Sequence, residues 1–181
     1  MANFFAAARQ SKTFVSLRIL TDSGWLSGMY LKLSSRQLAD SLNQGGDTVV
    51  LTNAFVPSGE NEIPFLSVRR DKMVLIMPDE IEAPNQESGI FVAATPRKVV
   101  MLAGLASIAG TISVPSNLRV TDYFSRNHGF IVVTKLRLTV RNPEGGDQWT
   151  RDLEQILVRG DSMVAVSEVE ASSTKTSQSF E

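Results

Sequence analysis

The sequence predicts a mostly β protein made of two five-stranded units in tandem. Three observations lead there. Short stretches alternate apolar and polar residues, as half-buried strands do, and turn residues separate them. A strand, a tight polar break and a second strand occupy Ile156-Leu157-Val158-Arg159-Gly160-Asp161-Ser162-Met163-Val164-Ala165-Val166, and an earlier version occupies residues 65–76. Finally, a constant offset relates the halves. At 82 positions Leu17 meets Val99, Ile19 Met101, Gly28 Gly110, Leu38 Val120, Asp40 Asp122, Val50 Val132 and Thr52 Thr134. A longer loop in the second half raises the offset to 90, which pairs Val68 with Val158, Arg69 with Arg159, Asp71 with Asp161 and Met73 with Met163.

The elements follow in order. Residues 1–12 form a helical arm: alanines favour helix, and Phe4 and Phe5 give it something to bury, on its own domain or on a partner. The first unit spans 13–77. Residues 13–21 alternate through Val15, Leu17 and Ile19. Asp22-Ser23-Gly24 is a turn, and Trp25 to Leu33 completes a hairpin. Gly28 inside that strand permits a sharp bend or close backbone approach. Residues 34–43 read as a short helix with Leu38 and Leu42 one turn apart. Thr48 to Val56 is a third strand, and the strand–break–strand of 63–77 follows. Residues 78–96, acidic and then rich in turn residues, are a linker with room for a short strand at 90–93. The second unit, 97–170, repeats the order. It has strands at 98–102 and 108–114, a helix at 118–125 and a long strand at 130–140. A loop at 142–147 precedes strands at 149–158 and 162–169. Residues 171–181 are rich in Ser and Thr, have little to bury and read as a disordered tail.

Composition narrows the function. A formal net charge of -1 supplies no global basic field for nucleic acid or anionic lipid. The absence of cysteine excludes thiol nucleophiles, disulfides and cysteine metal sites. No apolar run approaches the roughly 20 residues of a membrane-spanning helix. The start lacks the basic leader of a signal peptide, so the expectation is a cytoplasmic protein with no membrane partner.

A unit of this kind, with a glycine inside its second strand and a strand–Arg-Gly-Asp–strand ending, resembles the Sm-like fold of the Sm, LSm and Hfq proteins. Residues 15–33 with 48–56 look like the first Sm motif, and residues 156–166 like the second. The resemblance covers 13–77 and 97–169. It implies two small, strongly bent five-stranded barrels, of a kind usually built into rings through their edge strands. Gly28 and Gly110 are then where the sheet bends. Gly160 takes a positive φ at the break, and Asp71 and Asp161 accept hydrogen bonds from turn N–H groups. The chain departs from the family pattern in placing a short helix where the family has a polar loop. Asp40 and Asn43, and Asp122, Tyr123 and Asn127, are what could survive of that loop. Arg70 also stands where the family prefers glycine.

Little in the chain suggests catalysis. His128 is the lone histidine, in an Asn-His-Gly turn, and reads as surface; a hydrolase or transferase would need a pocket joining it to a carboxylate. No glycine-rich phosphate loop opens a helix, and no ligand spacing points to a metal or another cofactor. Basic residues offer more. Arg69, Arg70 and Lys72 cluster at the first break and Arg159 stands at the second, while Lys135, Arg137 and Arg141 share one strand face at period two. If the units faced each other, the breaks could line a basic pore for single-stranded RNA. The plainer reading is a solvated strand face paired with Asp152 and Glu154. The sequence reading is thus a non-enzymatic adaptor or assembly protein, oligomeric through its sheet edges and acting on protein partners. An RNA-binding ring is the alternative.

Overall fold

A computed structural model describes residues 11–57, 59, 61–81, 93–141 and 148–169. The phenylalanines of the expected arm, residues 90–92 of the linker strand expected at 90–93, the loop at 142–147 and the tail at 171–181 lie outside them. The protein is mostly β, as expected. Among the described residues, ten antiparallel strands form a single open sheet, and two short helices pack on it.

In the first half, β1 (Lys12–Thr21) and β2 (Gly24–Leu33) form the hairpin, α1 (Leu38–Gln44) follows, and β3 (Thr48–Phe55) pairs with β2. β4 (Ile63–Arg69) pairs with β3, and one turn of 3-10 helix, Arg70–Lys72, leads into β5 (Met73–Pro78), which returns to β1. The second half has β6 (Ala94–Ala103), β7 (Ala106–Pro115), α2 (Val120–Arg126), β8 (Phe130–Val140), β9 (Trp149–Arg159), a 3-10 turn at Gly160–Ser162, and β10 (Met163–Glu168). Lys12 therefore belongs to β1 rather than to the arm, and β6 begins inside the stretch assigned to the linker.

The halves agree in detail. β1, β2, α1 and the start of β3 recur 82 positions later, and the 3-10 turn and β5 recur 90 positions later. The register slips between Ser27 and Met29 in β2, and between Ala109 and Thr111 in β7. Gly28 and Gly110 occupy those slips because the crossing strand comes too close for a side chain. A Cβ on Gly28 would stand 3.0 Å from Leu51 Cβ, and one on Gly110 2.7 Å from Leu136 Cβ. Asn53 and Lys135, also equivalent, take left-handed φ values of 50° and 48° and are skipped by the pairing with β4 and β9. Lys135 is thus a bulge residue, yet from it onward exposed Lys135 and Arg137 alternate with buried Leu136, Leu138 and Val140 and line one shallow groove with Asp152 and Glu154, while Arg141 lies past the strand's end.

The strand order is β10-β6-β7-β8-β9-β5-β1-β2-β3-β4. The halves are thus joined edge to edge, Leu75 opposite Val158 and Ile76 opposite Leu157. These four side chains are buried, and each apolar cluster takes members from both halves: Leu20, Val74, Leu75 and Met77 pack with the second half, and Phe130 and Leu157 with the first. Leu38 and Leu42 of α1 and Val120 and Phe124 of α2 bury the apolar faces of the helices, the i, i+4 pattern that made them legible. No helix among the described residues is long and apolar enough to cross a membrane.

Candidate functional site

The joint between the halves creates a groove of about 1140 Å³. Both 3-10 turns reach it, because each adjoins a strand of the joint, the first leading into β5 and the second following β9. They bring Arg69, Arg70, Asp71, Arg159 and Asp161 together, and α1 and α2 add Asp40, Asn43, Tyr123 and Arg126. Of the expected basic set, Arg69, Arg70 and Arg159 converge. Lys72 turns toward Asp22 at 3.9 Å, and Arg137 pairs across strands with Asp152 at 2.9 Å, the plainer of the two sequence readings. That pairing holds the Arg137 guanidinium above its ordinary pKa and the Asp152 carboxyl below its own.

The aspartates differ from expectation in their partners. Arg69 donates to both oxygens of Asp71, at 2.9 and 2.6 Å, and Arg159 donates to Asp161 at 2.8 Å. Side-chain guanidinium groups, two residues back, thus take the place assigned to turn N–H groups. The hydrogen bond from Arg69 lowers the Asp71 pKa. Burial pushes Asp161 up, but hydrogen bonds from Arg159 and His128 outweigh it and leave its pKa lowered. Gly160 does not take a positive φ; the described glycines that do are Gly24 and Gly104. Gly160 is required for space instead, since a Cβ there would fall 1.8 Å from the Asn127 carbonyl oxygen. Its N–H donates to the Gly129 carbonyl at 2.8 Å, as the Arg70 N–H donates to Asp47.

Three features escaped the sequence. Asn43 reaches across the joint: its side-chain nitrogen donates to the Phe130 carbonyl at 2.9 Å, and its oxygen accepts from the Phe130 N–H at 2.6 Å. Its helix position was noted, but nothing in the sequence says which strand faces it. His128 Nδ1 lies 2.7 Å from Asp161 Oδ1 on the groove wall. Among the described residues no hydroxyl is hydrogen-bonded to the imidazole, so the pair lacks the nucleophile of a catalytic triad. Lastly, Trp25 and Trp149 meet with ring centroids 5.9 Å apart, and the Arg151 guanidinium lies 6.0 Å from the Trp149 ring. They line a second groove of about 580 Å³ with Phe55, Pro57 and Met77. The two tryptophans are not equivalent under either offset, so only the joint between halves brings them together.

The groove has mixed charge. Asp71 and Asp161 occupy Arg69 and Arg159, whereas Arg70 and Arg126 form no ion pair among the described residues. Arg70 Nε is buried without a hydrogen-bond partner, while its Nη1 reaches the Asn43 carbonyl at 3.4 Å. Among the described residues no three His, Asp or Glu side chains are grouped to hold a metal. Comparison with known proteins matches no family model, no curated protein and no solved structure.

Proposed function

We propose that the chain is a non-enzymatic adaptor or assembly protein, built from two Sm-like units and acting through protein contacts at its sheet edges. One observation carries this reading. The halves are held together by pairing of edge strands β5 and β9, while β4 and β10 end the sheet and carry exposed Phe65 and Val164. An unpaired edge with apolar side chains is a template for another strand unless it is guarded. The matching elements, register slips and left-handed residues support descent of both halves from one unit. The glycines at the slips suit the bent strand of an Sm-like barrel. The His128–Asp161 pair on the groove wall is the joining of histidine to carboxylate that a hydrolase or transferase would need. It comes with no assigned nucleophile or substrate, so the non-enzymatic reading rests on the sheet edges and not on this site. Sedimentation velocity over a concentration series, with a pull-down from lysate, tests the reading. Association or a retained protein is expected; a strict monomer that retains nothing would overturn it.

The groove favours a second reading, RNA binding, through the convergence of Arg69, Arg70, Arg126 and Arg159. Phosphate contacts weaken steeply with salt. Labelled single-stranded RNA should then shift at low salt, and less so in the Arg69/Arg70/Arg159 triple alanine variant. No shift at low salt would end this reading.

A further inference from the structure

We infer that the groove holding both tryptophans is a docking site for an extended peptide segment of a protein partner, one that carries an aromatic or large apolar side chain two residues from a carboxylate. The groove lies where the inner joint opens. β5 and β9 pair only through Leu75 with Val158 and Ile76 with Leu157. β5 ends at Pro78, which has no N–H with which to extend a ladder. Beyond that point β9 runs back to Trp149 with β8 on one side and, among the described residues, no paired strand on the other. This inner edge is separate from the margins on β4 and β10, so the site stands apart from the edge-assembly reading.

The aromatic lining is not something the fold requires. The same backbone occurs 82 positions later, in the same register: Ser27 pairs with Phe55, and Ala109 with Arg137. There Ser107 stands in place of Trp25 and Arg137 in place of Phe55. Trp25 packs in part on the apolar cluster of the second half, but Phe55 remains 49% and Trp149 36% exposed. Exposed rings gathered into one groove mark a contact surface, as single ones do not.

Charge and geometry select the occupant. Arg18 and Arg151 flank the rings, and among the described residues no carboxylate lines the groove. Arg18 is shared with Asp79, 3.4 Å away. Arg151 forms no ion pair among the described residues and lies over the Trp149 ring. The acids of β9, Asp152 and Glu154, line a different groove with Lys135 and Arg137. A nucleic-acid base fits less well than a peptide. A ring stacked between two others needs parallel planes about 7 Å apart, twice the usual contact distance. The tryptophan rings are 5.9 Å apart and tilted by 39°, which leaves an open angle for a side chain rather than a slot for a base. The free backbone groups of β9 suit a peptide, which adds as a strand while alternate side chains enter pockets. Trp149 and Arg151 share one face of β9 at a spacing of two, so an added strand meets them with side chains at that same spacing.

Both tryptophans of the chain stand in this groove, so intrinsic fluorescence reports this site alone. Displayed random heptapeptides selected on the full chain should enrich an aromatic residue two places from Asp or Glu. A synthetic peptide of that pattern should change the tryptophan emission saturably. Measured by anisotropy of the labelled peptide, Trp149→Ala should weaken binding about tenfold or more, with circular dichroism unchanged. Arg151→Glu should weaken the acidic peptide and favour the same peptide with lysine in place of its carboxylate, an exchange that loss of folding does not produce. Selection that enriches nothing or enriches a different pattern, or binding that survives both variants, overturns the proposal. Binding lost in Val164→Arg but kept in Trp149→Ala places the peptide on an outer margin; this site then fails while the edge-assembly reading stands. Emission quenched by single-stranded RNA and not by peptide makes the groove a base-stacking surface, and emission that changes on dilution of the chain alone puts a second copy in it. Either result overturns the proposal.

Discussion

The inner joint and the two free margins of the sheet are built from equivalent positions, yet they differ in what covers them and in how their residues have diverged. At the joint, Val74, Leu75, Ile76, Leu157 and Val158 are all buried. At the margins the equivalents are Val164, Ala165, Val166, Ser67 and Val68, of which Val164, Ala165 and Ser67 are exposed. Smaller and more polar residues have replaced larger apolar ones where no partner strand lies within the chain. A protein that only needed to hide its margins would be expected to place charges or proline along them. Here Pro64 and Arg69 on β4 and Glu168 on β10 guard the margins in part, but β4 keeps Phe65 and Val68, and β10 keeps Val164 and Val166. The margins are thus softened rather than blocked, the pattern expected of a surface that is covered part of the time.

The sharpest way to break the comparison is to give the joint a margin residue. Leu157→Ser leaves a hole facing Ile76 and buries a hydroxyl among apolar neighbours. Cavity and desolvation costs add to about 3–5 kcal/mol. Chemical denaturation should show a loss of that size, in a transition that reports both halves, because the two apolar clusters share residues across the joint. The same exchange already exists at Ser67 in the folded chain. A loss below about 1 kcal/mol would mean that the halves are stable independently and that the joint contributes little.

The turns offer a second comparison. Gly160→Ala drives a Cβ into the Asn127 carbonyl, a backbone atom that cannot swing away, and overpacking of this kind costs about 1–3 kcal/mol. The equivalent position in the first half already carries Arg70, so Arg70→Ala should change stability by much less. The expected outcome is a Tm drop of several degrees for Gly160→Ala and of a degree or less for Arg70→Ala.

How far the sequence could be read follows the same division. Whatever depended on local alternation was legible: the strands, the helices with Leu38 and Leu42 on one face, and the repeated offset. Arg69 and Arg159 were flagged because two turns shared them. What depended on one half meeting the other was not legible. Asn43, Trp25 and Trp149 act across the joint, and no spacing along the chain says that β9 will lie beside β5. Gly160 was read by the commonest reason for a glycine in a turn, positive φ, when the deciding fact is a carbonyl brought close by residues 127–129. The exposed face shared by Lys135 and Arg137 was legible as alternation, whereas the left-handed bulge at Lys135 was not, because a single bulge residue leaves no mark on composition.

Asn43 allows that last distinction to be measured. Asn43→Ala removes both hydrogen bonds to Phe130 and leaves one amide and one carbonyl of β8 without their side-chain partner, at a cost of about 1–3 kcal/mol. Hydrogen exchange locates the effect. The Phe130 amide should lose protection in the variant, while amides of β1 and β2 keep theirs. Unchanged protection at Phe130 would remove Asn43 from the joint.

The smallest expected effect separates the two aspartates. Both have lowered pKa values in the folded chain, so each stabilises the fold above the ordinary carboxylate pKa, near 3.9, and loses that contribution as pH falls through its folded pKa. Asp71 is held by Arg69, two residues away, in a contact exposed to solvent. Asp161 is held by Arg159, whose side chain is only 13% exposed, and by His128 from another loop. A bond between distant parts of the chain restrains more than one between near neighbours. Asp161→Asn should therefore lower Tm at pH 7 more than Asp71→Asn does. Acidification weakens the natural chain but leaves the asparagine side chains uncharged throughout, so both differences should shrink well below pH 3.9. Equal effects at pH 7 would show that His128 adds nothing to the second turn. A difference that persisted in acid would show that Asp161 acts through its shape rather than its charge.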